Sequence, residues 1–336
     1  MNANTLIPKA GRLTISAMWV PVLLLFLLVP WAVSLGLFSS FYINLITKIF
    51  IYAIFLLGFD LLAGYTGLVS FGHAMFFGLG AYTSGLTLVH LAPSLLLGIV
   101  LSLVLCSLVG VVVGFLSIRT QGVYFIFITL AFAQFFRLVA FHWSALTGGE
   151  NGLPGIPADT FLGIDRAANY YYFVFAVLVL CYILARRIVA SPFGHTLVGI
   201  RENEERMKFL GYNVDHYKWA SFVISGAFGG LAGALFAHSQ RYVSTDLFNW
   251  LTSADVIIMT WLGGVGTLIG PMLGGGIVIF FKNFFSSWMA ENWLMIMGFV
   301  YVLLVLFSPR GLMGLVERVV AAHRLRKQRQ QGGNTT

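Results

Sequence analysis

Charge is what this sequence has least of. Asp, Glu, Lys and Arg make up 10% of its 336 residues, against about 25% in a soluble domain. A water-facing surface cannot be covered with so few, which excludes a soluble globular fold. Cysteine is nearly absent. Cys106 and Cys181 each sit in the middle of an apolar run and read as small packed side chains rather than halves of a disulfide. Motifs of catalysis are missing as well. There is no GxxxxGK[ST] phosphate loop, so no ATP site of that kind is expected. There is no GxSxG nucleophile turn. The seven histidines, at 73, 90, 142, 195, 216, 238 and 323, lack close metal-ligand spacing. The expectation is a chain that is not an enzyme, with no catalytic residue, no metal and no cofactor.

What is there in quantity is apolar. Hydrophobic residues make up 59% of the chain, its mean hydropathy is +0.88, and 37 residues are glycine, which membrane helices use for close packing. Ten apolar stretches run approximately over 15–38, 41–63, 68–90, 93–117, 122–142, 169–189, 218–240, 253–269, 270–287 and 292–308. At about 20 residues per span, each is long enough or nearly so to cross a bilayer. The first is too long for a signal-peptide core and reads as a retained span. The fold class is therefore all-α, a polytopic membrane protein with about ten transmembrane helices.

Loop charges test the count. With the N-terminus inside, 15 of the 20 basic residues fall on the cytoplasmic side. They are Lys9, Arg12, Arg119, Arg186, Arg187, Arg201, Arg206, Lys208, Lys218 and six in the C-terminal tail. Only Arg166 and Arg241 fall outside, and Lys48, Arg137 and Lys282 fall within spans. The positive-inside rule then favours ten spans with both termini cytoplasmic. The same placement accounts for the net charge of +8 without a nucleic-acid partner. Three regions result: a cytoplasmic segment 1–14, a transmembrane domain 15–308, and a basic cytoplasmic tail 309–336. Trp143, Trp250, Trp288 and Trp293 near outer ends fit an interfacial aromatic belt.

Two loops stand out. The outer loop, 143–168, is rich in glycine and proline and cannot be a regular helix. The inner loop, 190–218, is the only long polar segment between spans. Pro192 can start a helix and Gly211 can stop one. Leu197, Ile200, Met207 and Leu210 lie among charges between them, which predicts one short amphipathic helix. Anionic lipid would repel its acidic cluster of Glu202, Glu204 and Glu205, so docking to a protein partner and an idle solvated loop are the readings left open.

Polar residues inside spans are costly in lipid and face a cavity or a partner. Asp60, His73 and Gln134 are the candidates for lining a substrate path, with helix-to-helix bonding as the alternative for each. Asp60 lies twelve residues after Lys48, about 18 Å along a helix, so those two do not pair. Asp255, Lys282 and Arg137 sit near predicted outer ends, where long side chains reach the interface. Glycine-rich breaks at 64–72 and 263–271 fall in the two halves of the chain, a pattern that marks substrate paths and internal repeats.

Several of these segments together resemble the permease subunits of branched-chain amino acid ABC importers. Glu205-Arg206-Met207, three residues and Gly211 resemble the permease coupling motif, with its two alanines replaced. Ile200 to Glu204, Gly64 to Ala74, Gly122 to Gln134, Thr147 to Gly152 and Gly263 to Pro271 are similar to further family segments. The resemblance spans roughly residues 40 to 310. It implies a bacterial inner-membrane subunit without ATPase activity of its own. It also implies a second related permease, two cytoplasmic ATP-binding subunits, a periplasmic substrate-binding protein and alternating access. Arg201, Glu202, Glu204, Glu205 and Gly211 would couple to the ATPase subunits. Branched-chain amino acids are the family default, with other amino acids, urea or short amides as alternatives. An ion-coupled transporter or a passive channel would need no such inner loop.

Overall fold

In a computed structural model, residues 39–157 and 167–288 are described, together with 26, 28–31, 33, 295, 298–299, 302 and 311–314. Most of the expected first and tenth spans, the segment 1–14, most of the tail and part of the outer loop lie outside the described residues.

The described residues are helical nearly throughout. Helix α1 (Ser40–Asp60) continues into a π-helical turn, Leu61–Thr66. Helix α2 (His73–Leu86) likewise ends in a π turn, Thr87–Leu91. Then come α3 (Leu95–Ser117), α4 (Val123–His142) and α5 (Ala167–Ala190). Two short helices, α6 (Pro192–Glu202) and α7 (Glu204–Phe209), lead into the 27-residue α8 (Val214–Gln240). Helices α9 (Trp250–Gly263) and α10 (Ile269–Trp288) follow. A two-residue antiparallel pairing joins β1 (Leu153–Pro154) to β2 (Tyr242–Val243), with Leu153 opposite Val243. This pairing marks one end of the bundle, the hairpin end. Residues 190–213 mark the other, the charged end.

Among the described residues, seven helices are long and apolar enough to cross a membrane. They are α1 with its π turn, α2 with its π turn, α3, α4, α5, α8 and α10. The expected eighth span falls short. Its helix, α9, has 14 residues and is about 21 Å long, against a hydrocarbon core of about 30 Å. Gly264, at φ 116°, ends it, and the break occupies 264–268 rather than the 269/270 boundary read from hydropathy. Glycine is apolar on a hydropathy scale, so the break was invisible to that scale. The third span begins at His73, because Gly67 at φ 82° ends the π turn and residues 67–72 form a turn. The single helix expected over 192–211 is two. Asn203 leaves the helical region and caps α7, its Oδ1 accepting from the Arg206 N–H at 2.8 Å.

Helix α8 is the axis of the bundle and packs on α1, α2 and α3. Water is not there to drive helices together, so close backbone approach supplies the attraction. A Cβ at Gly80 of α2 would strike the Gly230 carbonyl of α8. One at Gly233 would strike the Phe77 carbonyl. Gly226 admits the Phe76 ring in the same way, and Gly229 admits the Phe76 Cβ and the Phe55 ring. Phe55, Phe59, Phe76, Phe77 and Phe222 are fully buried around this contact. The outer faces of α3, α4 and α5 instead show apolar side chains, among them Val104, Leu108, Phe127, Leu138, Leu180 and Leu184. These are surfaces for lipid.

Candidate functional site

The charged end holds a junction where five parts of the chain meet at the π turn 61–66. A π turn leaves its last carbonyls without intrahelical partners. Arg201 of α6 donates from Nη1 to one of them, the Gly64 carbonyl. A guanidinium there also opposes the negative end of the helix dipole.

Asp60 precedes the turn and is fully buried. Its Oδ1 accepts from the Gly266 N–H at 2.7 Å and its Oδ2 from the Leu268 N–H at 3.0 Å. In the loop between α9 and α10, Gly264, Gly266 and Leu268 all have positive φ, at 116°, 78° and 59°. Alternating N–H groups in such a loop form a concavity that holds an anion. Here the anion is a side chain of the same chain. Leu268 is not glycine, and a left-handed conformation costs a residue with a Cβ about 1–2 kcal/mol. The Asp60 carboxylate holds it in place.

Helix α8 supplies two serines one turn apart. Ser221 Oγ shares a hydrogen bond with Thr66 Oγ1 at 2.7 Å. Ser225 Oγ donates to the Gly58 carbonyl at 2.6 Å and lies 2.7 Å from His73 Nε2. Because the serine's one proton goes to Gly58, the imidazole donates from Nε2. His73 Nδ1 is then a bare acceptor, with no hydrogen-bond partner, among the rings of Phe55, Phe59, Phe76 and Phe222.

The segment α6–α7 stands on this junction. Ser191 caps α6, accepting from the Gly194 N–H at 3.4 Å, with Pro192 at its first position. Leu197 and Ile200 are buried against the bundle. Acidic residues open α7 and basic ones close it, which matches the helix dipole. Glu204 receives hydrogen bonds from Lys218 at 2.5 Å and Lys208 at 2.9 Å. Burial pushes its carboxyl pKa up, but the two lysine hydrogen bonds and charges outweigh burial and hold it below the usual value. The Glu204 contact raises Lys208 above the usual lysine value. Gly211, at φ 86°, closes α7. Its N–H bonds the Lys208 carbonyl at 3.0 Å and the Tyr212 N–H bonds the Met207 carbonyl at 3.1 Å, the paired pattern of a glycine C-cap. Phe209 is 90% exposed and Leu210 66%.

The structure thus brings together Asp60, His73 and Arg201 around one turn, while Glu204 and Gly211 shape α7 beside it. Glu202 and Glu205 are exposed. Gln134 is elsewhere, half-buried on α4, with Nε2 enclosed and lacking a hydrogen-bond partner. The two glycine-rich breaks, 64–72 and 263–271, are in contact, since a Cβ at Gly64 would meet the Gly266 backbone. Sequence reasoning missed Thr66, Ser221 and Ser225. Serines at 221 and 225 share a helix face in an apolar stretch, and that spacing is the signal that was available.

Over residues 41–306 the chain matches the family described as branched-chain amino acid transport system / permease component. It is 28% identical over 309 residues to the high-affinity branched-chain amino acid transport system permease protein LivM of Salmonella typhimurium, a match covering 84% of this chain and 71% of that one. Identity to LivM of Escherichia coli K12 is 27% over 333 residues, covering 92% and 77%. The LivH permease protein of Escherichia coli K12 is 22% identical over 285 residues, covering 79% and 92%. No solved structure matches the chain.

Proposed function

Since the chain belongs to the family of branched-chain amino acid transport permeases, we propose that it is a membrane-spanning subunit of an ATP-driven importer of branched-chain amino acids in a bacterial inner membrane. The charged end faces the cytoplasm, as do the segment 1–14 and the tail 309–336, and residues 15–308 form the transmembrane domain. Two ATP-binding subunits dock on α6–α7. A periplasmic binding protein delivers substrate at the hairpin end. A second permease completes the path, which the similarity to both LivM and LivH relatives supports. The subunits alternate between outward-open and inward-open arrangements.

The observation that carries this reading is the bond from Arg201 to the Gly64 carbonyl. A segment that only floated in solvent would have no reason to cap a helix of the bundle. Arg201 is the inward contact of the coupling segment, Glu204 fixes α7 to α8, and Gly211 sets the shape of its tip. Glu202 and Glu205 face the partner. Asp60 and His73 hold the junction together, and Gln134 faces the path. Coupling of this kind requires an element with two discrete positions, and two short helices with a one-residue break suit it.

The test is purification of the tagged chain from its native host in mild detergent, with identification of what accompanies it. A related permease and two ATP-binding proteins are the expected companions. Recovery of the chain alone, from an extract that preserves known complexes, would return the reading to an ion-coupled transporter or a channel.

A further inference from the structure

The hairpin-end half of the bundle carries a cluster of charges that the coupling junction does not use. Lys282 of α10 donates to Asp255 Oδ2 of α9 at 2.5 Å. Helix α1 packs on both α9 and α10, and a Cβ at Gly276 of α10 would meet Ile49, the neighbour of Lys48, at 3.5 Å, which brings Lys48 within electrostatic reach of Lys282 and Tyr52, one turn along α1, within reach of Asp255. Asn44, Lys48 and Tyr52 are spaced by four residues and so share one face of α1. Lys48 is about 12 Å from the start of α1, Asp255 about 8 Å from the start of α9 and Lys282 about 9 Å from the end of α10. All three therefore sit at a similar depth below the hairpin end.

Two features separate this cluster from a structural ion pair. The Asp255 and Lys282 side chains are 32% and 25% exposed, so the pair opens on the surface of the chain. Its charges also do not balance, with two ammonium groups and one carboxylate. Among the described residues Lys48 has no ion pair or hydrogen bond, and Asp255 Oδ1 accepts none. Lys48 lies within a candidate span, where a bare ammonium costs up to about 2.5–3.5 kcal/mol on insertion scales, and such groups face a water-filled path or a partner rather than lipid. The outer faces of α3, α4 and α5 are lined with apolar side chains, whereas the seam of α1, α9 and α10 carries this charged cluster.

We infer that this seam is a substrate site within the membrane, where Lys48 takes the carboxylate of a zwitterionic amino acid and Asp255 Oδ1 takes its ammonium. The inference rests on the transport reading above and adds to it the residues that meet the substrate. Paired ionic contacts of this kind are charge-assisted, and each is about twice as strong as a neutral hydrogen bond. Lys282 holds the Asp255 carboxylate in place through Oδ2.

The test is binding of tritiated leucine to the complete permease pair in nanodiscs, with leucine, leucinamide and isovalerate as competitors. The wild type is expected to prefer leucine over leucinamide at least tenfold. Lys48→Met should weaken leucine binding about tenfold or more and erase that preference, while Lys48→Arg keeps both. Asp255→Asn should erase the preference for leucine over isovalerate. A Lys48→Met pair that binds and discriminates as the wild type does would overturn the site. So would loss of the second permease or of co-purifying phospholipid from that variant with discrimination intact, which would make Lys48 a contact for a partner carboxylate or a lipid headgroup. Leucine uptake by the reconstituted complex is measured in parallel. Uptake without leucine binding by the pair sinks the site alone, and absence of uptake sinks the transport reading.

Discussion

Replacing Asp60 by alanine removes both acceptors of the loop 264–268 in one step. The Gly266 and Leu268 N–H groups lose their bonds, at about 1–3 kcal/mol each when left without a partner. Leu268 also loses what holds it at φ 59°, so the loop relaxes and α9 and α10 are released from α1. The expected cost is about 3–5 kcal/mol, close to that of stripping one member from a buried ion pair. Asp60→Asn keeps a carbonyl oxygen for one N–H and turns an NH₂ toward the other, so about half that cost is expected. The assay is thermal unfolding in detergent followed by tryptophan fluorescence. On the scale of soluble domains, the alanine variant should melt on the order of 5–15 °C below the wild type, with the asparagine variant between them. An alanine variant that melts within about 2 °C of the wild type would show that the loop does not depend on Asp60, and the account of the junction would be wrong.

Other perturbations follow from the same geometry. Arg201→Ala should leave insertion and melting nearly unchanged but lower ATP-driven uptake at least several-fold, with Arg201→Lys restoring part of it; normal uptake in the alanine variant would detach α6 from coupling. Gly211→Val forces a β-branched residue to φ 86° in open space, so it should unravel the end of α7, read as faster proteolysis near residue 211, without lowering the yield of folded protein. Gly80→Leu, which drives a side chain into the α8 backbone, should abolish folding, seen as loss of a monodisperse peak on size exclusion. The folded-state pKa of Glu204 lies below its ordinary value, so its tie to Lys218 is fully present above the ordinary glutamate pKa of about 4.3. That tie fades as pH falls through the lower folded value. Hydrogen exchange in α7 should therefore rise on acidification below about pH 4.3, and Glu204→Gln should show the rise already at neutral pH.

The helices were legible because apolar runs of about 20 residues admit few other structures. The breaks were legible where a proline or a cluster of glycines marked them, as at Pro192 and at 64–72 and 263–271. Which glycine of 263–271 ends α9 escaped, because a glycine between apolar residues looks the same inside a span and at its end. Asn203 escaped because a break of one residue does not disturb an amphipathic pattern on either side. Asp60 was singled out as a costly charge, and it is one, but its partners are backbone N–H groups some two hundred residues away in sequence. Side-chain pairing rules carry no information about such partners. Lys48, Asp255 and Lys282 were each visible as charges in or near spans. That they converge depends on how α1, α9 and α10 are arranged, which no local pattern encodes.

The break at Asn203 has a mechanical consequence. Helix α6 is fastened to the end of α1 through Arg201, and α7 is fastened to α8 through Glu204 and Lys218. A pull on the exposed tip at Phe209 therefore reaches the bundle at two anchorages, with a hinge of one residue between them. A tug along α7 draws on α8 first, and only its sideways component turns α6 about the hinge and tugs α1. The direction of the applied motion, and not its size alone, selects which transmembrane helix yields.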